Sequence, residues 1–506
     1  MRNRWVGFHL ASLCLFALLA PAYSQVNQPP RGDALPADSQ ALLLELRNEL
    51  RESRQELQEL RERLRSLEAR VGATESPSDS LPTRATPLPE SALVPASDGT
   101  LRSLQEGQEL LASRVEEQAQ TSVESASRYK VRISGLVLMN ASANQGRVNI
   151  QDMPGLAFNR LPGSTAGDFG ATLRQSVLGV EVLGPRIAGA SSSAGVEMDF
   201  FGGFPRAAFG STNGLMRLRT AHGRLDWENT TVSFGQEAPF FSPLSPTSYA
   251  TLGEPAFSWS GNLWVWTPQI RVERRWSLSD NSRFSIQGGV LDAVTEGILG
   301  SQFQRTPGPG ESSRLPAGAG RVGWSGVLAG RPAQIGASGY LGRQNYGFNR
   351  NIGSWSWMAD YNLPLSPHLT LSGEFFRGQA LGGLGGGVWN SIVADQTISN
   401  PSARIAGLNA VGGWSQLKFA PTQRWEWNLA AGTDNPFASD LQRFTQALNV
   451  EDRQSLARNQ SAFLNMIFRP RSNLLVALEY RRLRTYFRDG NRAQAGHVNL
   501  AIGVSF

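Results

Sequence analysis

The chain has 506 residues, 48 basic and 42 acidic side chains, and a formal net charge of +6. Every basic residue except Lys130 and Lys418 is an arginine, and the single cysteine is Cys14. With Cys14 inside a cleavable leader, disulfides, thiolate catalysis and cysteine-ligated metals are all excluded from the mature chain.

Arg2 and Arg4 precede the apolar run from Trp5 to Ala20, and Ala22-Tyr23-Ser24 supplies small residues ahead of Gln25. Residues 1–24 therefore read as a secretory signal peptide. The run falls short of the roughly 20 residues that a spanning helix needs. Ala11-Ser12-Leu13 before Cys14 is not a leucine-headed lipobox. A basic chain could bind nucleic acid, but an exported one meets small anions instead.

Residues 40–71 carry a heptad repeat. Leu43, Leu50, Leu57, Leu64 and Val71 occupy position a, and Leu46, Leu60 and Leu67 occupy position d, with Ser53 the one polar interruption. Glu49 with Arg54, Glu56 with Arg61 and Arg63 with Glu68 are g-to-e′ pairs of opposite sign, as a parallel homo-oligomer requires. The spacing predicts a parallel coiled coil; the alternative is an amphipathic helix packed on its own domain. Residues 72–100 hold Pro77, Pro82, Pro87, Pro89 and Pro95 among Ser, Thr and Ala, which makes an extended linker. Residues 101–129 form a weaker helical segment with Leu101, Leu104, Leu111 and Val115, but Gln108 and Gln118 sit in its seam. The RGD at Arg31 to Asp33 is three residues in a polar tail and carries no argument by itself.

From Lys130 onward the period changes to two. Ala194, Val196, Met198 and Phe200 alternate with Gly195, Glu197 and Asp199. Leu474, Val476, Leu478 and Tyr480 alternate with Leu475, Ala477, Glu479 and Arg481. A soluble sandwich also alternates, with charge outside and close-packed aliphatics within. Here the apolar face bears Trp, Tyr and Phe near strand ends, and the other face mixes small and charged residues. That combination predicts an all-β transmembrane barrel over residues 130–506. Closure gives every backbone N–H and C=O a partner in lipid. Strand starts fall near Lys130, Thr172, Ser191, Leu215, Thr231, Trp264, Arg283, Arg321, Ala333, Trp355, Leu369, Leu408, Arg424, Ala462, Leu474 and Gly496, about sixteen antiparallel strands. In the last strand Val498, Leu500, Ile502, Val504 and Phe506 face lipid, and it closes on the first near Val131.

The connection between Gln236 and Trp264 is long and aromatic, with Glu237, Phe240, Phe241, Tyr249 and Glu254 along it. It follows the fifth strand, and its aromatics predict a folded loop that turns inward and narrows the pore. Packing on a neighbouring subunit is the alternative. At this point the chain resembles trimeric sixteen-stranded porins, and more narrowly the DcaP-like porins with an N-terminal coiled-coil extension. The resemblance rests on KVRISGLVLMNA, TLRQSVLGVEVLGP and GRLDWENTTVSFGQEAPFFSPLSPTSYA, together with the heptads and Phe506. It implies a homotrimer in outer-membrane lipid that passes negatively charged small solutes such as dicarboxylates.

Alternation places Arg224, Asp226, Arg271, Glu273, Arg275, Arg321, Glu374, Glu479 and Arg481 on the lumen face. Opposed carboxylates and guanidiniums create a transverse field, and a local arginine excess favours anions. Arginine also pairs bidentately with carboxylate or phosphate. Any one of these residues could instead be a wall salt bridge. Catalysis has little support: His222, His368 and His497 form no spaced metal motif, and Leu381 to Val388 lacks the Lys-Ser/Thr of a phosphate loop. That glycine-rich run reads as a flexible external loop, and no cofactor or metal is expected. A competing function is tethering, in which the coiled coil, roughly 40 Å long, spaces the outer membrane from peptidoglycan and the barrel only anchors it.

Overall fold

The computed structural model describes residues 130–204, 214–293, 306–328, 330–444 and 455–506. The expected signal peptide, coiled coil, linker and second helical segment lie outside the described residues, and so do Leu43 to Val71 of the heptads.

The strands of the main sheet are β1 (Lys130–Gln145), β2 (Gly167–Thr172), β3 (Val177–Ile187), β4 (Ala190–Asp199), β5 (Arg217–Asp226), β6 (Thr230–Glu237), β7 (Thr267–Ser279) and β8 (Ser282–Leu291). They continue as β9 (Ala317–Leu328), β10 (Arg331–Asn345), β11 (Asn351–Ser366), β12 (Leu369–Gln379), β13 (Asn409–Phe419), β14 (Trp425–Pro436), β15 (Leu456–Arg471), β16 (Leu474–Phe487) and β17 (Arg492–Ser505). Each pairs antiparallel with its sequence neighbour, and β2 and β3 share one edge of β1, so they make a single broken span. The result is a closed barrel of sixteen antiparallel spans, with β6 the fifth.

Closure runs from Leu136↔Ser505 to Gln145↔Gly496, and the Phe506 and Gly135 backbones exchange hydrogen bonds at 3.1 and 2.8 Å. The seam therefore starts at Gly135, above the expected Val131, which pairs instead with Val182 of β3. The offset is the stagger that a tilted, closed sheet must have.

Side-chain alternation sorts the wall into two faces. Val498, Leu500, Ile502, Val504 and Phe506 are exposed on the outside, while His497, Asn499 and Ala501 are buried within. Connections alternate between short turns and long loops. Between β3 and β4 the turn has positive φ at Ala188 (48°) and Gly189 (82°), the pair of left-handed residues that a two-residue hairpin requires. Outside, aromatic rings gather at the short-turn end, where Trp425 stacks on Phe468 at 4.3 Å and Trp276 leans on Phe284 at 5.9 Å. This is the girdle of a membrane interface.

One irregularity matters for the lumen. The β4–β5 register shifts between Glu197 and Met198, where Glu197 faces Thr220 and Met198 faces Leu218. Arg219 is the extra residue of this bulge, and bulges re-aim side chains. As a result Arg217 and Arg219, as well as His222 and Arg224, reach partners inside the barrel.

Candidate channel and its inward loop

Residues 238–266, between β6 and β7, fold into the barrel. Apolar anchoring begins at once: Phe240 and Phe241 are 3% and 1% exposed and pack with Tyr340, Met358 and Phe376 of the wall. Phe241 lies 5.5 Å from the Tyr340 ring, and its carbonyl accepts from Ser338 Oγ at 2.6 Å. Farther along, Phe257 meets Phe463 at 5.1 Å. Burying such rings contributes about 1.5–3 kcal/mol each.

A backbone that leaves the wall must have its polar groups satisfied. Inward side chains of distant strands do this. Glu374 accepts from Ser242 Oγ and from Leu244 N, both at 2.7 Å. Gln416 accepts from Thr247 N at 2.7 Å, and Asn465 Nδ2 donates to Thr247 O at 2.8 Å. Glu479 accepts from Ser248 Oγ at 2.6 Å, and Asn140 Nδ2 donates to Tyr249 O at 2.8 Å. Gln175 donates to Ala250 O at 3.1 Å and accepts from Leu252 N at 2.6 Å. The segment thus crosses from β10 and β12 past β13, β15, β16 and β1 to Gln175. Close approach on the return is permitted by glycine. Gly261, at φ +102°, sits so near β13 and β14 that a Cβ would lie 2.3 Å from Thr433 O.

Glu254 is held inside the loop itself, accepting from Ser258 Oγ and Trp259 Nε1 at 3.2 Å each. Burial pushes its carboxyl above the usual carboxylate range, against the two hydrogen bonds and the more distant Arg217 and Arg174 charges.

Four of the residues expected to line an open lumen are sealed by this packing. Arg321 and Asp360 form a buried pair at 2.7 Å, 8% and 3% exposed. Glu374 is a loop anchor. Glu479 and Arg481 pair at 2.7 Å beneath the loop, each 3% exposed. Alternation gives the face correctly but cannot register a segment from elsewhere in the chain that covers it.

The other expected residues stand on the uncovered side. Glu237, at the root of the loop, accepts from Ser233 Oγ at 3.0 Å and lies 3.6 Å from Arg224 and 3.7 Å from Arg271. Arg271 Nε donates to Ser233 Oγ at 2.8 Å. Arg275 donates to Thr231 Oγ1 at 2.7 Å and lies 3.4 Å from Glu273, and Asp226 accepts from Thr231 Oγ1 at 2.6 Å. Sequence reasoning missed Arg217 and Arg219 because it assumed unbroken alternation. Arg217 pairs with Asp199 at 2.7 Å and Arg219 with Glu197 at 3.0 Å, and both guanidiniums lie 4.9 Å from the Trp266 ring. Exposure is unequal within the pairs: Arg224 keeps 36% of its side chain accessible, and Glu237 only 12%. Asp199, Glu237 and Glu273 lie deeper than the guanidiniums they hold, whereas Glu197 is more exposed than Arg219.

A second segment, between β12 and β13, also packs inward, which overturns the reading of Leu381 to Val388 as a flexible external loop. Leu381, Leu384 and Val388 are 2%, 3% and 0% exposed, and Asp434 accepts from Gly387 N at 3.2 Å and Val388 N at 2.8 Å. Its Trp389 rests against Trp259 and Trp264, at 5.2 and 6.0 Å. Glycine here serves tight packing. At the rim of the same segment, Asp395 accepts from Arg404 Nε and N at 2.7 and 2.8 Å, which holds its carboxyl below the usual range.

No protein-family model matches the chain, and no curated protein matches it. Among solved structures, the outer membrane channel DcaP of Acinetobacter baumannii is similar with a TM-score of 0.55, over 76% of this chain and 100% of that one, at 16% identity. The barrel has the porin fold. OmpF of Salmonella typhi (TM-score 0.45, 11% identity, 74% and 98% covered) and an anion-selective porin from Comamonas acidovorans (0.43, 11%, 75% and 100%) are more distant.

Proposed function

We propose that the chain is a passive outer-membrane diffusion channel for small hydrophilic solutes, favouring anions such as dicarboxylates. The observation that carries this reading is the loop of residues 238–266, which covers one side of the interior and leaves the arginine-bearing wall of β5 and β7 facing the remaining space. On that wall Arg224, Arg271 and Arg275 are held by Glu237, Ser233, Thr231 and Glu273, while Arg217 and Arg219 pair with Asp199 and Glu197 beside Trp266 of the loop. A fixed guanidinium presents a fork that matches a carboxylate, at little further loss of rotamer freedom. Glu237 and Glu273 orient these forks, Asp226 holds the Thr231 hydroxyl to which Arg275 donates, and together they complete a transverse field that turns dipolar solutes.

Glu237, Phe240, Phe241, Tyr249 and Glu254 belong to the constricting loop, the aromatics as anchors and the carboxylates as internal props. The heptads at Leu43, Leu46, Leu50, Leu57, Leu60, Leu64, Leu67 and Val71 support a homotrimer assembled through a periplasmic coiled coil. The same heptads support the second reading, a tether to peptidoglycan with the barrel as anchor. Single-channel recording in planar bilayers separates the two. A porin trimer closes in three steps and reverses toward the anion potential in a salt gradient; a barrel that carries no current ends the channel reading. Deleting residues 40–71 and weighing the complex by native mass spectrometry then assigns the coil: loss of trimers means assembly, and intact trimers with detached envelopes mean tethering. Liposome swelling with dicarboxylates, sugars and amino acids identifies the solute class.

A further inference from the structure

The outer face of a barrel in lipid should be apolar through its middle and polar only at the rims. On β16 the outward series runs Val476, Leu478, Tyr480 and then Arg482 and Arg484; on β15 it runs Leu464, Ala462, Gln460 and Arg458. The register sets Ala462 beside Arg482 and Gln460 beside Arg484. A tilted strand climbs about 20 Å between Leu474 and Arg482, so these arginines stand at the upper edge of an apolar band about 25 Å tall. That is the level of lipid headgroups at the long-loop end.

The cluster is not neutralised by the chain. Among the described residues, no carboxylate forms an ion pair with Arg458, Arg482 or Arg484. Arg482 and Arg484 are exposed, and Arg482 donates to the neutral Gln494. The Arg458 guanidinium sits over Tyr486, its Cζ 4.0 Å from the ring centre, and its Nε has no hydrogen-bond partner.

Beside the arginines the wall is hollowed. An open depression of about 850 Å³ runs over β12 to β16, where Gly413, Ser415, Ala431 and Ala462 replace the large side chains of the belt. Phe375, 40% exposed, closes one side, and Leu429 and Leu464 stand outside it at 57% and 54%. A groove floored with small residues and rimmed with guanidiniums that have no carboxylate partner has two chemistries at once: room for an acyl chain, and forks for a phosphate.

We propose that this outer face holds a phosphorylated lipid of the leaflet at the long-loop end, with its phosphate on Arg482, Arg484 and Arg458 and a chain along the groove. A second copy of this chain is the other candidate occupant. Charge argues against it. The outer faces of β2 to β8 present Phe169, Val196, Leu218, Phe234, Ile270 and Ile286, which would leave the arginines without counter-charge. The proposal rests on the membrane setting given above, but not on the passage of solute.

The test uses the full-length protein in detergent, titrated with bis-phosphorylated lipid A and followed by native mass spectrometry. One tightly held lipid per chain is expected. The exposed double variant Arg482→Gln/Arg484→Gln should lose occupancy at least tenfold, and lipid A stripped of its phosphates should bind at the level of that variant. Unchanged occupancy in the variant, or equal retention of both lipids, overturns the proposal. Displacement by millimolar inorganic phosphate alone would mark a free-anion site and also overturn it. A photoactivatable maleimide on Ser415→Cys reports the occupant in native membranes: adducts to glycolipid support the proposal, and adducts to a second chain overturn it. Single-channel conductance of the double variant should match the parent's, so a failure of the channel reading is seen separately.

Discussion

Ser242 and Glu374 are 132 residues apart in sequence, yet the serine hydroxyl donates to Glu374 Oε2 at 2.7 Å while Leu244 N donates to Oε1. One carboxylate on β12 therefore holds two points of the inward loop, two residues apart. Glu374→Ala would leave Leu244 N without an acceptor, at a cost of about 1–3 kcal/mol. The expected result is a channel with larger and noisier single-channel conductance but an intact barrel. Glu374→Gln retains an acceptor oxygen and should be intermediate. Conductance equal to the parent's in Glu374→Ala would mean that this anchor does not set the loop's position.

At the other end of the loop the constraint is steric. Gly261→Ala introduces a Cβ 2.3 Å from Thr433 O at a residue with φ +102°. Neither the β14 backbone nor the left-handed conformation can yield cheaply. We expect a lower melting temperature and faster protease cleavage within 238–266. An equivalent substitution at Gly288, where a Cβ would meet nothing within 4 Å, should leave both unchanged.

The buried loop carboxylate gives a pH dependence of definite sign. Glu254 in the folded state sits above its unfolded pKa because of burial. The folded protein then binds the extra proton, so its contribution is fully present below the ordinary glutamate value. Stability falls as pH rises through that value toward the folded pKa, then levels. Glu254→Gln should remove this slope from thermal melts between mildly acidic and neutral pH. A slope retained in the variant would assign it to another group.

Asp395 works in the opposite direction. Its bonds to Arg404 depress its pKa, so the clasp is present above the ordinary aspartate value and is lost as pH falls through the folded pKa. The protection factors of amides 395–404, observed exchange taken relative to the intrinsic rate at each pH, should therefore fall in acid. In Arg404→Gln they should already be low at neutral pH and show little further acid response.

For selectivity the most accessible guanidinium is decisive. Arg224→Gln removes a charge from the open wall and leaves Glu237 with Arg271 and His222. The reversal potential in a potassium chloride gradient should shift toward cations, with conductance changed less than twofold. The same substitution at Arg321, sealed against Asp360, should instead appear as instability, about 3–5 kcal/mol, without a selectivity shift of its own.

The barrel was legible because its signal is local. Period-two alternation, turn residues and a long fifth connection all lie within short windows, and each of the sixteen expected strand starts falls in or beside a span. The lumen was only half legible. Alternation told which face Glu374, Glu479 and Arg481 occupy, but not that residues 238–266 return to cover them. Nor does the sequence mark the two-for-one pairing at Thr220 and Leu218 that turns Arg217 and Arg219 inward. The glycines after Leu381 misled for a related reason: in isolation glycine means freedom, and against Asp434 it means close fit.

The stagger at the seam has a mechanical consequence. Because β17 meets β1 only from Gly135 upward, Lys130 to Ser134 pair on one edge alone, with β3. Consider a pull on Lys130 directed along β1. It meets seven register pairs with β3, then ten with β17 and six with β2 on opposite edges, all loaded in shear. Strands pulled lengthwise must break such bonds together rather than unzip them in turn. A pull along the β1 axis from its N-terminal end therefore loads the barrel along its most resistant direction.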